Sequence, residues 1–519
     1  MNAKIRLVAL ALCLGAFCAQ AQNTVVGTGT LGTGNVAPPS TQNTVVGSLI
    51  GGSANTGGAN SFFGYQAGMA NAGGGKNTFL GAFGGVSNIS GGENVFTGYS
   101  SGFNSTSGNY NVFTGAYSGY NSSKASNNVF TGWSAGYSNI KGEHNVFSGY
   151  KSGYYNIADG NVFYGAYSGQ NNTTGYGNVF SGTYAGFSNL TGALNTFTGN
   201  NSGYSNTGWS NSFYGYDSGR SNTSGYANTF AGNNSGYSNI EGSENSFYGY
   251  DSGRLNTSGF QNSYLGFNAG YGNTTGSKNV SVGASSGYKN ATAIDNVFVG
   301  FVAGFNTTTS SNTFVGSGVG FLNSTGEGNT YIGASAGHDS KIGSRNVFLG
   351  NSAGYYEQAS NKLHIANNAA TTLIYGDFST GKVGIGGINT YATPDTFPAT
   401  AGAVSLANYK LFVKGGILTE EVRVNLMSAW ADYVFAPEYQ LKPLAEVETF
   451  IKENGHLPNV PSAAKVAEEG LELGEIAKIQ QEKIEELTLY LIEQNKKMDE
   501  QNKKIEELTK QVKILSERN

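Results

Sequence analysis

Two identical stretches, NSFYGYDSGR at 211–220 and at 245–254, place Asp217 three residues before Arg220 and Asp251 three residues before Arg254. A carboxylate beside a guanidinium offers both signs of charge to one ligand. Two readings stand: a charged ligand spot, or a two-unit duplication carrying a local surface ion pair. Elsewhere the residues that do chemistry do not converge. His144, His338, His364 and His456 have no acidic or cysteine companions at ligand spacing and read as surface or core histidines. Gly27-x-Gly29-x-x-Gly32 matches a dinucleotide fingerprint in letters only, because no helix and no acidic partner follow it. A calcium-binding solenoid repeats its aspartates, yet here they occur singly, as at Asp159 and Asp295. The Asn-x-Ser/Thr sequons at Asn172, Asn222, Asn256 and Asn273 are by-products of a repeat. No catalytic, cofactor-binding or metal residue is assigned, no cofactor is implied, and an enzyme is not expected.

The element that carries those residues is the repeat itself. Residues 94–110 read NVFTGYSSGFNSTSGNY and residues 111–127 read NVFTGAYSGYNSSKASN. An asparagine opens each unit at 43, 60, 77, 94, 111 and onward to 346, every 17 residues, or 16 at the steps 145 to 161, 195 to 211 and 296 to 312. The consensus is N-x-F-x-G-x-x-(S/A)-G-(Y/F)-x-N-x-x-G-x-x, with glycine invariant at the fifth and ninth places. Seventeen residues with two fixed glycines cannot hold two helices. The alternating N-x-F-x-G segment places Asn, Phe and Gly on one face of a short strand. Phe96 and Phe113 are then neighbours in an interior aromatic ladder spaced like stacked strands. Gly98, Gly102, Gly115 and Gly119 supply positive φ at corners, and the asparagines form ladders of their own. Nineteen such coils over 43–360 predict a parallel β-solenoid of roughly 90 Å, in which no coil buries its aromatic face alone.

Composition agrees with that reading. Glycine is 79 of 519 residues and proline only 8, which excludes collagen. The 32 tyrosines and 30 phenylalanines exclude a disordered linker. A net charge of −4 leaves no basic footprint, so nucleic acid is not an expected partner. Lys4 and Arg6 precede an apolar run, Leu7 to Cys18, and Ala19-Gln20-Ala21 suits a cleavage site. Residues 1–21 therefore read as a secretory signal peptide, with Gln22 as the mature start and 22–42 as a leader. Cys13 and Cys18 both lie in that peptide, so no disulfide is expected in the mature chain. The expected location is outside the cell or at its surface, with the periplasm as the other exported compartment.

The repeats resemble the head repeats of trimeric autotransporter adhesins, in which short Asn/Gly-marked coils stack into a left-handed parallel β-roll. The resemblance covers residues 43–360 and implies a homotrimer at the cell surface. It leaves the ligand open, since such heads bind many different things.

Beyond the repeat, 361–424 reads as a β-rich neck. KLHIANNAATTLIYGDFSTGKVGIG is a run of short strands, and LFVKGGILTEEVRV (411–424) reads as a strand pair around Gly415-Gly416. Residues 425–475 read as a small helical connector. Pro443 suits a first helical position, Leu444, Val447 and Ile451 share a face, and Gly455 ends the helix. Ser462 caps a second short helix that Gly470 stops. Residues 476–519 read as a coiled coil about 50 Å long. Ile484, Leu491, Met498, Ile505 and Val512 hold its a positions; Leu487, Gln494, Gln501, Leu508 and Leu515 hold d. Gln494 and Gln501 fix register and oligomer state at some cost in stability. β-branched a with Leu at d leans towards two strands, and the β-roll resemblance implies three. The contrasting reading is one amphipathic helix packed on its own domain. This C-terminal arrangement resembles the ends of repeat-rich secreted proteins of Bacteroidetes-type bacteria, distantly similar to the chaperone tails of phage tail fibres. The S-D-x-x-x-K-type motif of self-cleaving tails is absent, so that resemblance does not imply autoproteolysis. No terminal membrane strand is evident, which leaves the outer-membrane anchoring partner unnamed.

The expected function is a structural or adhesive trimeric fibre, with the chain itself as partner and a host, cell-surface or glycan ligand. A carbohydrate- or ice-binding solenoid is the alternative. Thr97, Thr114 and Thr131 share one repeat position, although Tyr164, Tyr214 and Leu265 interrupt the row. A solenoid hydrolase or lyase is a remote third, for want of clustered carboxylates.

Overall fold

A computed structural model describes residues 24–26, 42–51, 55–387, 397–425 and 430–518, with the backbone alone at 24–26. The signal-peptide reading of 1–21, nearly all of the leader and the glycines at 27, 29 and 32 lie outside the described residues. The chain divides into two compact units, 1–379 and 380–519.

The first unit is a parallel β-solenoid. Strand β1 spans Thr24–Val26, nineteen coil strands run from β2 (Thr44–Val46) to β20 (Val347–Leu349), and β21 spans Lys362–Ile365. Every coil strand is three residues long and pairs in register with its neighbours, Phe96 opposite Phe113 and Phe113 opposite Phe130. The parallel ladder exceeds the nineteen repeats by one rung at each end, since β1 pairs with β2 and β20 with β21. The remainder of each coil is turn, tied to adjacent coils by backbone bonds such as Gly98 N–H to Leu80 O at 2.8 Å and Ser87 N–H to Phe103 O at 3.0 Å. Two of the three shorter coils, those opened by Asn145 and Asn195, keep strand register by losing a residue in the turn after the second asparagine. Asn139 bonds the Gly142 carbonyl three residues on, while Asn156 and Asn206 reach Ala158 and Gly208 two residues on.

The interior has an aromatic side and a polar side. From Phe62 to Tyr264 the inward rings stack with centroids 4.7–4.9 Å apart and planes within 12°. The spacing is that of the strands themselves. Two residues before each ring, the first asparagine of each coil accepts from the backbone N–H of the next, as Asn94 Oδ1 does from Asn111 N–H at 2.9 Å. The second asparagines form a side-chain ladder, with Asn88 Nδ2 donating to Asn71 Oδ1 at 2.6 Å and Asn239 Nδ2 to Asn222 Oδ1 at 2.6 Å. Such networks suit a buried site only when nearly complete. Where serine replaces asparagine the shorter side chain cannot reach, and Asn88 Oδ1, Ser105 Oγ and Ser122 Oγ lack a partner.

Ser281 stands where every other coil but the first, which has Val45, holds a ring. The core divides there into one cluster ending at Tyr264 and Ala269 and a second beginning at Phe298. Phe298 leans into the vacated space, its plane tilted 32° from Phe314 at 5.4 Å. The C-terminal end of the ladder is closed by His364 on β21. Its ring meets Phe348 edge-on at 83° and is held by Thr372 at 3.0 Å and Glu357 at 3.2 Å. Strand β22 (Ile374–Asp377) runs antiparallel to β21, and Lys362 Nζ bonds Asp377 Oδ2 across the pair at 2.9 Å.

In the second unit, β23 (Lys382–Ile385) pairs in parallel with β26 (Leu411–Val413), and β24 (Thr400–Ala401) pairs with β25 (Val404–Ser405). The expected strand pair at 411–424 is only half formed. Residues 417–425 make no strand, are exposed and have no ladder partner among the described residues. The helices follow expectation closely. α1 is Leu444–Asn454 with Gly455 in the left-handed region at φ 77°, and α2 is Ala463–Glu469 with Ser462 accepting from Lys465 N–H. Pro443 precedes α1 by one residue. α3 runs unbroken over Leu473–Ser516.

Candidate functional site

The glycines of each coil carry shape rather than chemistry. A Cβ on Gly102 or Gly119 would lie 2.3 or 2.4 Å from the ring of Phe96 or Phe113 in the same coil. Gly98 and Gly115 have φ of +133° and +126°, and a Cβ on either would lie 2.6 Å from the backbone of the next coil. All six residues therefore belong to the stacking machinery, with the two phenylalanines fully buried.

Asp217, Arg220, Asp251 and Arg254 do not gather into one open charged spot. Both aspartates are buried, and each accepts from an asparagine of the preceding coil, Asn201 at 2.9 Å and Asn234 at 3.0 Å. Each also pairs with its own arginine, Arg220 at 3.7 Å and Arg254 at 3.0 Å. Burial works against the charge of Arg254, and its bond and attraction to the Asp251 carboxylate outweigh burial and raise its pKa. The guanidiniums occupy the tenth place of the repeat, where other coils put an aromatic ring. Arg220 lies 5.7 Å from the Tyr204 centroid and 5.8 Å from Tyr237, and Arg254 lies 5.6 Å from Tyr237. Planar cations thus continue a row of rings by cation–π stacking.

That tenth-place row runs along the outside of the solenoid. Phe103, Tyr120, Tyr137 and Tyr154 stack at 4.8–4.9 Å, and Tyr271, Tyr288, Phe305, Phe321, His338 and Tyr355 stack at 4.9–5.3 Å. His338 is one rung of it, and Asp339 bonds its Nδ1 at 2.5 Å. His144 is exposed, and His456 sits edge-on to Phe450. Among the described residues no three His, Cys, Asp or Glu side chains converge as a metal site. Thr97, Thr114 and Thr131 lie on the outward face of their strands.

Sequence reasoning missed a second outer row. The sixth and seventh places look variable when read separately, yet eight successive coils put one ring at one or the other: Tyr65, Phe83, Tyr99, Tyr117, Trp133, Tyr150, Tyr167 and Tyr184. Each touches the next with centroids 4.8–6.0 Å apart. The available signal was the sum of two columns rather than either column.

The heptad residues stand in solvent. Ile484, Leu487, Leu491, Met498, Ile505, Leu508, Val512 and Leu515 are each 49–64% exposed, and Gln494 and Gln501 are exposed with them. The same helix packs its other side on its own unit. Tyr433, in a 3₁₀ turn at Ala431–Phe435, donates to Glu482, Tyr439 donates to Glu486, and Asn459 Nδ2 reaches Glu482 at 3.2 Å. The bond to Glu482 pushes the Tyr433 hydroxyl up to about 12, and burial with the Glu486 bond pushes Tyr439 up as well. Burial raises the Glu482 carboxyl, and Lys483 and Tyr433 more than offset it, leaving it below the usual range.

Among the described residues, no helix is long and apolar enough to cross a membrane. Comparisons with protein-family models, with curated proteins and with solved structures found no match.

Proposed function

We propose that this chain is an exported surface protein that works as a structural or adhesive fibre. In this reading three copies join through a coiled coil of α3, and each solenoid serves as a rigid head or stalk. One observation carries the assembly: over five heptads the eight apolar a and d side chains are uncovered, although the same helix packs its Glu482 and Glu486 side on its own unit. A helix that rested on its own domain would cover the heptad stripe instead. Continuous burial of such a stripe needs other helices. Export rests on residues 1–21, and a surface role rests on the resemblance of the repeats to adhesin heads. The ligand of an adhesive fibre would be a host, cell-surface or glycan structure, and the membrane anchor would be another protein.

The mass of residues 22–519 in solution, by light scattering, tests the assembly. Three chain masses are expected, falling to one when Leu491 and Leu508 are both changed to Glu. A single chain mass for the unaltered protein would overturn the fibre reading.

A further inference from the structure

The outer row of rings from Tyr65 to Tyr184 is an unbroken run of eight rings in contact along the outside of the solenoid. It spans eight coils, roughly 34 Å at the spacing of stacked strands. Tyr65, Tyr99, Trp133 and Tyr150 are more than two-fifths exposed. Several neighbours are turned steeply against one another, by 86° at Tyr65–Phe83, 75° at Tyr99–Tyr117 and 73° at Tyr150–Tyr167, so the row offers both ring faces and ring edges along its length. Six of the eight rings carry a hydroxyl. A solenoid gains nothing in core packing from these side chains, because the inward ladder is already closed by its own phenylalanines. Coils further along hold Asn200 and Asn233 at the sixth place and are equally well formed, with strands β11 (Thr196–Thr198) and β13 (Thr229–Ala231) in register.

The chemistry of the row selects among occupants. At the sixth, seventh and tenth places of coils 60 to 178 the only charged side chain is Lys151, which lies over the Trp133, Tyr150 and Tyr154 rings. The strip matches an uncharged ligand in electrostatics. Contact between successive rings leaves no slots of the kind a proline-rich peptide fills, and the strand ladder beneath offers no free edge for an added peptide strand. A strip one or two rings wide and eight coils long fits a chain molecule better than a globular face. The flat C–H faces of sugar rings stack on aromatic faces, and sugar hydroxyls pair with tyrosine hydroxyls. The rise per residue of an extended β-linked sugar chain is also close to the rung spacing of the coils.

We propose that the aromatic strip of residues 65–184 binds a neutral, β-linked linear polysaccharide laid along the solenoid axis. This deepens the fibre reading by naming the ligand class of the head, yet the strip is complete in a single chain.

Affinity electrophoresis of the full mature chain through gels containing hydroxyethylcellulose, xylan or galactomannan tests it, with alginate as the anionic comparison. Retention by at least one neutral polymer is expected. The triple variant Tyr99→Ala, Trp133→Ala, Tyr150→Asn uses residues that other coils already hold at this place (Ala82, Ala116, Asn200). It should keep the circular dichroism of the parent and bind about tenfold more weakly or worse. The variant Tyr250→Ala, Phe267→Ala, outside the strip, should bind as the parent does. Absence of retention by every neutral polymer, equal retention of parent and triple variant, or retention by alginate alone would each overturn the proposal. A polysaccharide-binding single chain would overturn the fibre reading and leave this one standing; a trimer without retention would do the reverse.

Discussion

In the solenoid almost every inward ring is covered by the coils above and below it, whereas in the C-terminal unit α1 and α2 bury no residue and α3 leaves its heptad stripe in solvent. Both regions are built from amphipathic segments. They differ in where the complementary surface comes from. Each coil carries its own complement in the next copy of the same sequence, so a single chain closes the account. The helices carry a pattern that the described residues of their own unit do not cover. That open apolar stripe, beside a polar face already in use, is the feature on which the proposed assembly rests.

Three changes would break or sharpen that contrast. The largest effect is expected at the ring ladder. Phe180→Ala opens a cavity between Phe163 and Phe197 and should lower stability by about 3–5 kcal/mol. Ile451→Ala, on the exposed side of α1, should stay within about 0.5 kcal/mol. Urea denaturation followed by near-ultraviolet circular dichroism would read both, and equal effects would erase the distinction. A smaller gain is expected at Ser281, where the core is divided. Ser281→Phe should restore continuous stacking, relieve the tilt of Phe298 and add about 0.5–2 kcal/mol. If the break separates two cooperative blocks, hydrogen exchange should rise in step on both sides of residue 281 only in the variant.

The smallest effects are those of pH, and they fall in different windows for the two units. In the first unit, burial alone would raise the Asp377 carboxyl, but hydrogen bonds from Ser379 and Lys362 hold it at about 2, below its ordinary 3.8. Its contribution is complete above pH 3.8 and is lost as pH falls towards 2. In the second unit, Tyr433 is raised from 10.0 to about 12, so its bond to Glu482 is complete below pH 10 and lost as pH rises towards 12. Acid should therefore quicken hydrogen exchange at β21 and β22, and alkali at α3 around Glu482. The same segment responding to both would contradict the assignment.

Much of this was legible in the residues. The strand position, the inward phenylalanine, the asparagine ladders, the left-handed Gly455 after α1 and the Ser462 cap all follow from spacing and side-chain type. The aspartate–arginine pairs were seen as neighbours, but not as rungs. Only the stack places Arg220 between Tyr204 and Tyr237, seventeen or so residues away on either side. The second strand expected within 411–424 had the right alternation and no partner edge, and alternation without a partner does not make a strand.

The sequence by itself determined the period, the inward face and the heptad spacing, because those depend on residue order along one coil or one helix; that the heptads are uncovered was decided by the tertiary structure. The tertiary structure decided the backbone at the corners. Ser100, Tyr117, Tyr110 and Asn127 adopt φ of 52–60°, a region that side chains resist and that no local signal at these places demands. Their amides are held by the preceding coil, Ser100 to Ala82 O and Tyr117 to Tyr99 O at 2.9 Å, and Tyr110 to Gly92 O at 3.1 Å. At the fifth and ninth places glycine is fixed, because a Cβ there would strike a backbone or a ring. Where only φ is unusual, bonds between coils offset the strain and almost any residue serves.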